Sequence, residues 1–181
     1  MDLDGAGRSG ISTGVGFLDH MLSLLAWHSG IDLDVKAEGD LAVDAHHTIE
    51  DVGIVLGRAL AEALGDKKGI ERYGFFLLPM DETLAAAALD LSGRFCYVSD
   101  YAPRRENLGE MPSDMVNHFF YSLASEARMS LHFRFMNQGE NEHHKVEAMF
   151  KAFGRALRAG AAVYRHRLPA SPPAKQVPGV T

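Results

Sequence analysis

The sequence contains a single cysteine, Cys96, among its 181 residues. One cysteine excludes an internal disulfide framework and a zinc site built from several thiolates, and it agrees with a reducing compartment. No apolar run approaches the length of a membrane span, and Met1-Asp-Leu-Asp-Gly5 lacks the basic and apolar regions of a signal peptide. We therefore expect a cytoplasmic protein with no membrane partner, in which histidine and carboxylate side chains hold any metal.

Positive charge is also scarce, because 18 lysines and arginines stand against 24 acidic residues, a formal net charge of -6. Binding to nucleic acid needs a basic surface that displaces counterions from phosphates, so this balance argues against a nucleic-acid partner. Local basic clusters can still hold one small phosphate group. The hydrophobic content of 46% and the charged content of 23% are those of a globular chain with a buried core.

Apolar periodicity divides the chain into helices and strands. Spacings of three and four predict helices over residues 17–25, 49–64, 114–126 and 143–165. Alternation predicts strands over residues 31–35 and 129–135, and short apolar runs between 73 and 101 predict three more. The order helix, strand, helix therefore occurs twice.

Residue matches support an internal duplication. Seven residues of the second predicted helix recur 97 positions later in the last one: His46, His47, Glu50, Gly57, Arg58, Ala59 and Leu60 match His143, His144, Glu147, Gly154, Arg155, Ala156 and Leu157. Close helix packing is the simplest interpretation of the last four matches. We predict an α+β fold with a duplicated unit, in which two mixed sheets pack with helices. Residues 1–90 and 91–168 form two halves of one domain, and the proline-rich residues 169–181 form a tail.

Each repeated helix begins with two adjacent histidines and a glutamate three residues later. Adjacent residues on a helix point about 100° apart, while residues three or four apart share a face. The two histidines therefore suit two different metals, although either one can share a target with the glutamate. With the repeated pair at positions 20 and 118, three His and one Glu are available per metal: His20, His46, His47, Glu50, His118, His143, His144 and Glu147. Imidazole with carboxylate suits manganese, iron or zinc.

Simpler interpretations of these residues also exist. A single helical histidine more often lies at the surface than at a metal, and duplication copies inert residues too. A metal function is favoured because the copies have otherwise diverged: Asp51 and Val52 correspond to Ala148 and Met149. The acidic pair Asp81-Glu82 can serve as a base or hold arginines, and a structural role is the simpler interpretation.

Six segments, in unbroken order between about Leu3 and Tyr164, resemble the imidazoleglycerol-phosphate dehydratase family of histidine biosynthesis. They are Gly14-Val-Gly-Phe-Leu-Asp-His-Met-Leu22, Asp44-Ala-His-His-Thr-Ile-Glu-Asp51, Arg72-Tyr-Gly74, Pro79-Met-Asp-Glu82, Asp90-Leu-Ser-Gly-Arg94 and His143-His-Lys-Val-Glu-Ala-Met-Phe-Lys-Ala152. The resemblance implies a hydro-lyase that converts imidazoleglycerol phosphate to imidazole acetol phosphate with two manganese ions per active site. It also implies a homo-oligomer, a 24-mer built from trimers, with active sites shared between chains.

The resemblance further assigns residues to the small phosphorylated imidazole substrate. The family's phosphate-binding groups map onto Arg72, Arg94 and Lys151, and His28 falls in a segment that contacts substrate. Lys175 stands for the lysine of a terminal phosphate loop that is altered here. Taken alone, each of these cations is more often a solvated surface charge or an ion-pair partner.

Two departures from the family pattern leave other functions open. Ser23-Leu24 stands where the resemblance implies Asp-Gln, and these 181 residues do not include the family's upstream Thr-Glu-Thr segment. One alternative is a metal-dependent oligomeric scaffold, a pseudoenzyme of the same fold whose histidines join chains without turnover. A generic dinuclear hydrolase is a weaker alternative, because no sequence feature marks a water-activating base.

Overall fold

The computed structural model describes residues 1–164, so Lys175 and the predicted tail at 169–181 lie outside the described residues. The helices are α1 (Gly16–Ser29), α2 (His46–Leu64), α3 (Met115–Glu126) and α4 (Glu142–Ala161). The strands are β1 (Ser9–Ser12), β2 (Leu33–Lys36), β3 (Tyr73–Met80), β4 (Thr83–Asp90), β5 (Cys96–Ser99), β6 (Asn107–Leu108), β7 (Met111–Pro112) and β8 (Ser130–Asn137). No helix within residues 1–164 combines the length and apolarity needed to cross a bilayer.

The predicted duplication is confirmed by the order and pairing of the elements. The first unit runs β1-α1-β2-α2 and the second runs β5-α3-β8-α4. In both units the two strands pair in parallel, with Ser9 opposite Leu33 in the first and Cys96 opposite Ser130 in the second. Parallel neighbours need a crossover connection, which a helix supplies in each unit.

Residues 1–164 form three sheets rather than the predicted two, and the smallest is the antiparallel pair of β6 and β7. Strands β3, β4, β8 and β5 form one four-stranded mixed sheet in that order, and β1 with β2 forms a two-stranded parallel sheet. The α+β class is therefore confirmed, while only the largest sheet mixes parallel and antiparallel pairs. Strands β1, β6 and β7 were not predicted, because none of them shows apolar alternation: β6 and β7 have two residues each, and β1, Ser-Gly-Ile-Ser, has one apolar side chain.

The C-terminal ends of α1 and α4 are set by local backbone conformation. Gly30 ends α1 with a φ of 78°, and its N–H donates to the carbonyl of Ala26, as a left-handed glycine cap does. Helix α4 ends at Ala161 rather than at the predicted Arg165. Ala162 turns to an extended conformation with a ψ of 138°, and its carbonyl accepts a hydrogen bond from the N–H of Glu71. The backbone hydrogen bond to Glu71 therefore replaces the last turn of the predicted helix.

Helices of different repeats pack against each other at backbone distance. Helix α2 packs on α3 and α4 packs on α1. A Cβ atom on Gly57 would lie 2.5 Å from the carbonyl oxygen of Leu123, and one on Gly154 would lie 3.1 Å from that of Leu25. These repeated glycines let the helices of each pair approach closely, which agrees with the predicted packing role. Two equivalent helix pairs therefore stand side by side in one core.

We expect Gly57→Ala to destabilise the fold by about 1–3 kcal/mol, because the added methyl group overlaps the α3 backbone. Gly154→Ala should cost less, since its clash is milder, while alanine gains the same helix propensity of roughly 1 kcal/mol at both positions. Gly16→Ala is the matched control, because the nearest heavy atom to its Cβ would be Glu110 Oε2 at 3.8 Å. Urea unfolding measures all three. Equal midpoints for the Gly57 and Gly16 variants would contradict close packing at Gly57.

The N-terminal segment is held to β2 by one carboxylate. Asp32 Oδ1 accepts hydrogen bonds from the backbone N–H groups of Ala6 and Arg8, and Oδ2 accepts from the Arg8 guanidinium at 2.8 Å. The guanidinium first, and then the two N–H groups, hold the pKa of Asp32 below its usual range. The charged carboxylate therefore stabilises this segment.

This stabilisation should be complete above the ordinary aspartate pKa of about 3.9 and should disappear as the pH falls through the lower folded-state value. Asp32→Asn removes the charge and keeps the shape. We expect its Tm to lie below that of the parent at pH 6, and the difference to narrow below about pH 4. A difference that stays constant from pH 6 to pH 2 would show that ionisation of Asp32 does not contribute.

Candidate metal centre

The first cluster of metal-ligating side chains lies between α1 and α4. His143 Nε2 is 2.9 Å from Glu147 Oε2, and His20 Nε2 is 3.8 Å from the same oxygen. The three ligand atoms lie within 4.8 Å of one another. Two adjacent ligand atoms that are both about 2.0–2.2 Å from one ion are roughly 3–3.6 Å apart, so small side-chain shifts let one cation contact all three.

The second cluster repeats this arrangement between α2 and α3. His118 Nε2 is 3.1 Å from Glu50 Oε1, and His46 Nε2 is 3.9 Å from Glu50 Oε2. The imidazole centroids of His46 and His118 are 5.2 Å apart, against 6.0 Å for the equivalent pair in the first cluster. Each cluster thus takes a histidine from one repeat and the His–Glu pair from the other.

Each glutamate is paired with the first histidine of its helix, one of the two that helical spacing allows. The partners of Glu50 and Glu147 are four residues earlier, at positions 46 and 143, where one helical turn stacks the two side chains. The sequence predicted three histidines and one glutamate per metal. Within one chain, each cluster contains two histidines and one glutamate.

The remaining two histidines point away from the clusters. His47 is exposed, with its ring centroid 5.7 Å from that of His46 and perpendicular to it. His144 instead contacts the turn between β3 and β4, where its Nδ1 lies 3.0 Å from Glu82 Oε2. Adjacent residues on a helix diverge, as predicted, so one chain presents these two imidazoles to its surroundings.

Lys151 controls the charge of the first cluster. Its Nζ is 2.5 Å from Glu147 Oε1, and the Glu147 side chain is only 10% exposed. Burial opposes ionisation of Glu147, but the hydrogen bonds and charges of Lys151 and His143 outweigh it and hold its pKa below the usual range. Glu147 is therefore a carboxylate at neutral pH, with Oε2 directed at the imidazoles.

His28 lies close enough to this cluster for the charges of Lys151 and Glu147 to act on its imidazole. Burial first, and then the charges of Arg155 and Lys151, lower the pKa of its imidazole. The neutral ring is therefore favoured at pH 7. Its Nδ1 is buried and has no hydrogen-bond partner within residues 1–164. A neutral ring with a free nitrogen can exchange a hydrogen bond with a polar ligand.

The other predicted phosphate-binding cations lie elsewhere on the chain. Arg72 holds Asp90 with two hydrogen bonds, of 2.6 and 3.0 Å, and exposed Arg94 is close enough to contribute to the lowered pKa of Asp90 after Arg72. Lys151 lies 3.9 Å from the sulfur of Met80. Arg72 and Met80 stand at opposite ends of β3, roughly 25 Å apart at 3.3 Å per residue. One chain therefore does not bring these cations together.

A buried ion pair fixes the first turn of α4. Lys145 Nζ is 3.1 Å from Glu142 Oε2, and both side chains are fully buried. The same oxygen accepts a hydrogen bond from the backbone N–H of Arg104. Neither residue was singled out in the sequence, because an exposed i,i+3 pair has the same spacing. The pair anchors the turn that carries His143 and His144.

The donor sets fit a divalent cation. Each cluster offers two imidazole nitrogens and a carboxylate, the ligands that manganese, iron and zinc accept. Three ligands leave positions open on a six-coordinate ion, for a further histidine or for a substrate. A hydrogen bond joins His143 to Glu147 in the first cluster. In the second, His118 Nε2 is buried without a hydrogen-bond partner within residues 1–164 and lies 3.1 Å from Glu50 Oε1, so little rearrangement is needed to bind an ion in either cluster.

Comparison with known proteins gives a consistent result. The family model for imidazoleglycerol-phosphate dehydratase matches residues 13–157. The dehydratase of Acetivibrio thermocellus is 57% identical over 157 residues, which cover 87% of this chain and 80% of that protein. The histidine biosynthesis bifunctional protein HisB of Stenotrophomonas maltophilia is 54% identical over 93% of this chain, which spans about half of that longer protein, 46% of its length.

Solved structures agree with these sequence matches. The crystal structure of the dehydratase from Staphylococcus aureus superposes with a TM-score of 0.82 at 42% identity, covering 88% of this chain and 90% of that one. The Pyrococcus furiosus structure, in complex with (S)-C348, gives 0.74 at 32% identity, covering 91% and 89%. The resemblance noted in the sequence is confirmed, and the chain belongs to the imidazoleglycerol-phosphate dehydratase family.

Proposed function

We propose that this chain removes water from imidazoleglycerol phosphate to give imidazole acetol phosphate in histidine biosynthesis, with two divalent cations, manganese in the first place, at each active site. The observation that carries the proposal is the pair of equivalent His–His–Glu clusters in a chain of this family. Family membership favours a hydro-lyase over the oligomeric scaffold and the dinuclear hydrolase.

The chemistry explains the need for cations. The carbon that loses its proton is not next to a carbonyl group, so the reaction needs another electron sink, and the substrate's imidazole ring is available. Bound cations supply Lewis acidity that stabilises this ring as its anion. His20, His143 and Glu147 would hold one cation and His46, Glu50 and His118 the other, with His47 and His144 as further ligands.

Residues of the chain supply charge and orientation around this ring. Lys151 keeps Glu147 ionised and beside its imidazoles. The neutral His28, next to the same cluster, can orient the substrate through its buried Nδ1. Arg94 offers the planar pair of donors that suits a phosphate dianion. Arg72 is close to it, because Arg72 hydrogen-bonds to Asp90 and the charge of Arg94 also acts on Asp90.

Self-association would complete the site. One chain leaves His47 and His144 outside the two His–His–Glu clusters, and it separates Lys151 from Arg94 by the length of β3. Tyr73, Phe75 and Leu77 share one face of β3 and are 62%, 79% and 51% exposed, an apolar surface suited to burial against another copy. These observations support active sites shared between chains. The arrangement of those chains as trimers in a 24-mer is proposed from the family resemblance alone.

The metal proposal predicts that purified protein binds two divalent ions per chain and that His46→Ala combined with His143→Ala removes most of this binding, because each cluster loses one of its ligands. Metal analysis after dialysis against manganese measures the content. His132→Ala is the control, since His132 belongs to neither cluster. Unchanged metal content in the double variant would contradict the assignment.

Chelation should also reduce the size of the oligomer, because ligands from different chains would meet at one ion. Light scattering before and after treatment with excess chelator, and again after manganese is restored, measures the mass. A shell that keeps its mass in excess chelator would argue against metal-bridged assembly.

Arg94→Ala tests the phosphate contact. The variant should keep its metal content and its assembly, because arginine has no lone pair for a cation. Its kcat/KM should fall by about 10-fold to 100-fold, which corresponds to one charge-assisted contact of roughly 1.5–3 kcal/mol. Arg105→Ala, another exposed arginine, is the control. Normal kinetics for the Arg94 variant would show that the phosphate site is misplaced.

A further inference from the structure

Glu82 connects the turn between β3 and β4 to the start of α4. Its Oε1 accepts hydrogen bonds from the backbone N–H groups of Asn141 at 3.0 Å and Glu140 at 3.3 Å. Its Oε2 lies 3.0 Å from Nδ1 of His144. The sequence suggested that this residue is a base or a partner for arginines, and the structure gives it a histidine instead.

The stem of the Glu82 side chain is also held in place. Gly139 adopts a φ of 65°, and a Cβ atom there would lie 2.5 Å from Glu82 Cγ. The loop that leads into α4 therefore lies directly on this side chain. Thr83 ties the same turn to the same loop, because its hydroxyl donates to the carbonyl of Gln138 at 3.1 Å.

These contacts select one tautomer of His144. A carboxylate only accepts hydrogen bonds, so the nitrogen that faces Glu82, Nδ1, must carry the proton. In the neutral ring the other nitrogen, Nε2, has a lone pair. The Asn141 side-chain amide, 3.2 Å away, can donate to it, and exposed Asp81 Oδ2 lies 3.6 Å from the same nitrogen. An amide contact at the surface is readily displaced, so Nε2 is the atom available to a cation.

We propose that Glu82 is a positioning residue that orients His144 and leaves its Nε2 free to bind one of the two cations, an inference that rests on the proposed two-cation function. A histidine ligand whose second nitrogen donates to a carboxylate is fixed in direction and made more basic. A separate ion held by Asp81, Glu82 and His144 is disfavoured, because Glu82 already receives three donors and Asp81 is 74% exposed.

His47 provides an internal comparison. It occupies the equivalent position in the first repeat and forms no ion pair with a carboxylate within residues 1–164. Loss of Glu82 should therefore weaken the site that His144 completes and leave the site that His47 completes unchanged. The two ions bound per chain would then separate into two affinity classes.

Competition titration of Mn²⁺ against a chelator, with free Mn²⁺ followed by electron paramagnetic resonance, tests this on the assembled protein. In Glu82→Ala, one of the two ions should bind about 10-fold to 100-fold more weakly. Glu82→Gln should recover much of the loss, since its amide oxygen still accepts the Nδ1 proton. Thr83→Val removes the neighbouring tie without touching His144, and both ions should bind as in the parent.

Equal weakening of both ions in Glu82→Ala, a Gln variant as weak as the Ala variant, or the same loss in Thr83→Val would overturn the positioning role. Failure of the parent protein to bind two ions would instead overturn the two-cation function itself. Unchanged affinities in Glu82→Ala, in a protein that binds two ions, would overturn only the role of Glu82.

Discussion

The close approach of helices from different repeats is the constraint on which the rest of the structure depends. Gly57 and Gly154 let α2 and α4 touch the backbones of α3 and α1. Because these contacts fix the spacing of the helix axes, His118 lies beside Glu50, and His20 lies beside Glu147. A larger residue at either glycine would separate the halves of a cluster as well as the halves of the core.

Sequence reasoning identified the repeated elements and the His and Glu residues that lie together in the two clusters, but it did not identify the helix pairs. The offset of 97 residues shows which positions of the two repeats correspond. It does not show which helices are in contact. Helical spacing allowed both His46 and His47 to share a target with Glu50, and only packing against α3 selects His46. The partnership of Glu82 with His144 joins residues 62 positions apart, which no local pattern reveals.

The two equivalent clusters are not electrostatically equal. Glu147 shares its charge with Lys151, one helical turn further on, whereas the residue one turn after Glu50 is Ile54. Burial is also unequal, since the Glu147 side chain is 10% exposed and that of Glu50 is 33% exposed. The first cluster therefore combines a more enclosed carboxylate with the neighbouring charge of Lys151. An ion at the first cluster and an ion at the second would experience different electric fields.

The exchange of helices between repeats bears on how such a chain arose. Neither repeat contains a whole cluster, since α1 and α2 of the first contribute to different ones, as do α3 and α4 of the second. A precursor consisting of one repeat could have assembled either cluster only by pairing with a second copy of itself. Gene fusion would then have turned a symmetric dimer interface into an intramolecular one. After that each copy could specialise, and the two now carry Ile54 and Lys151 at equivalent positions.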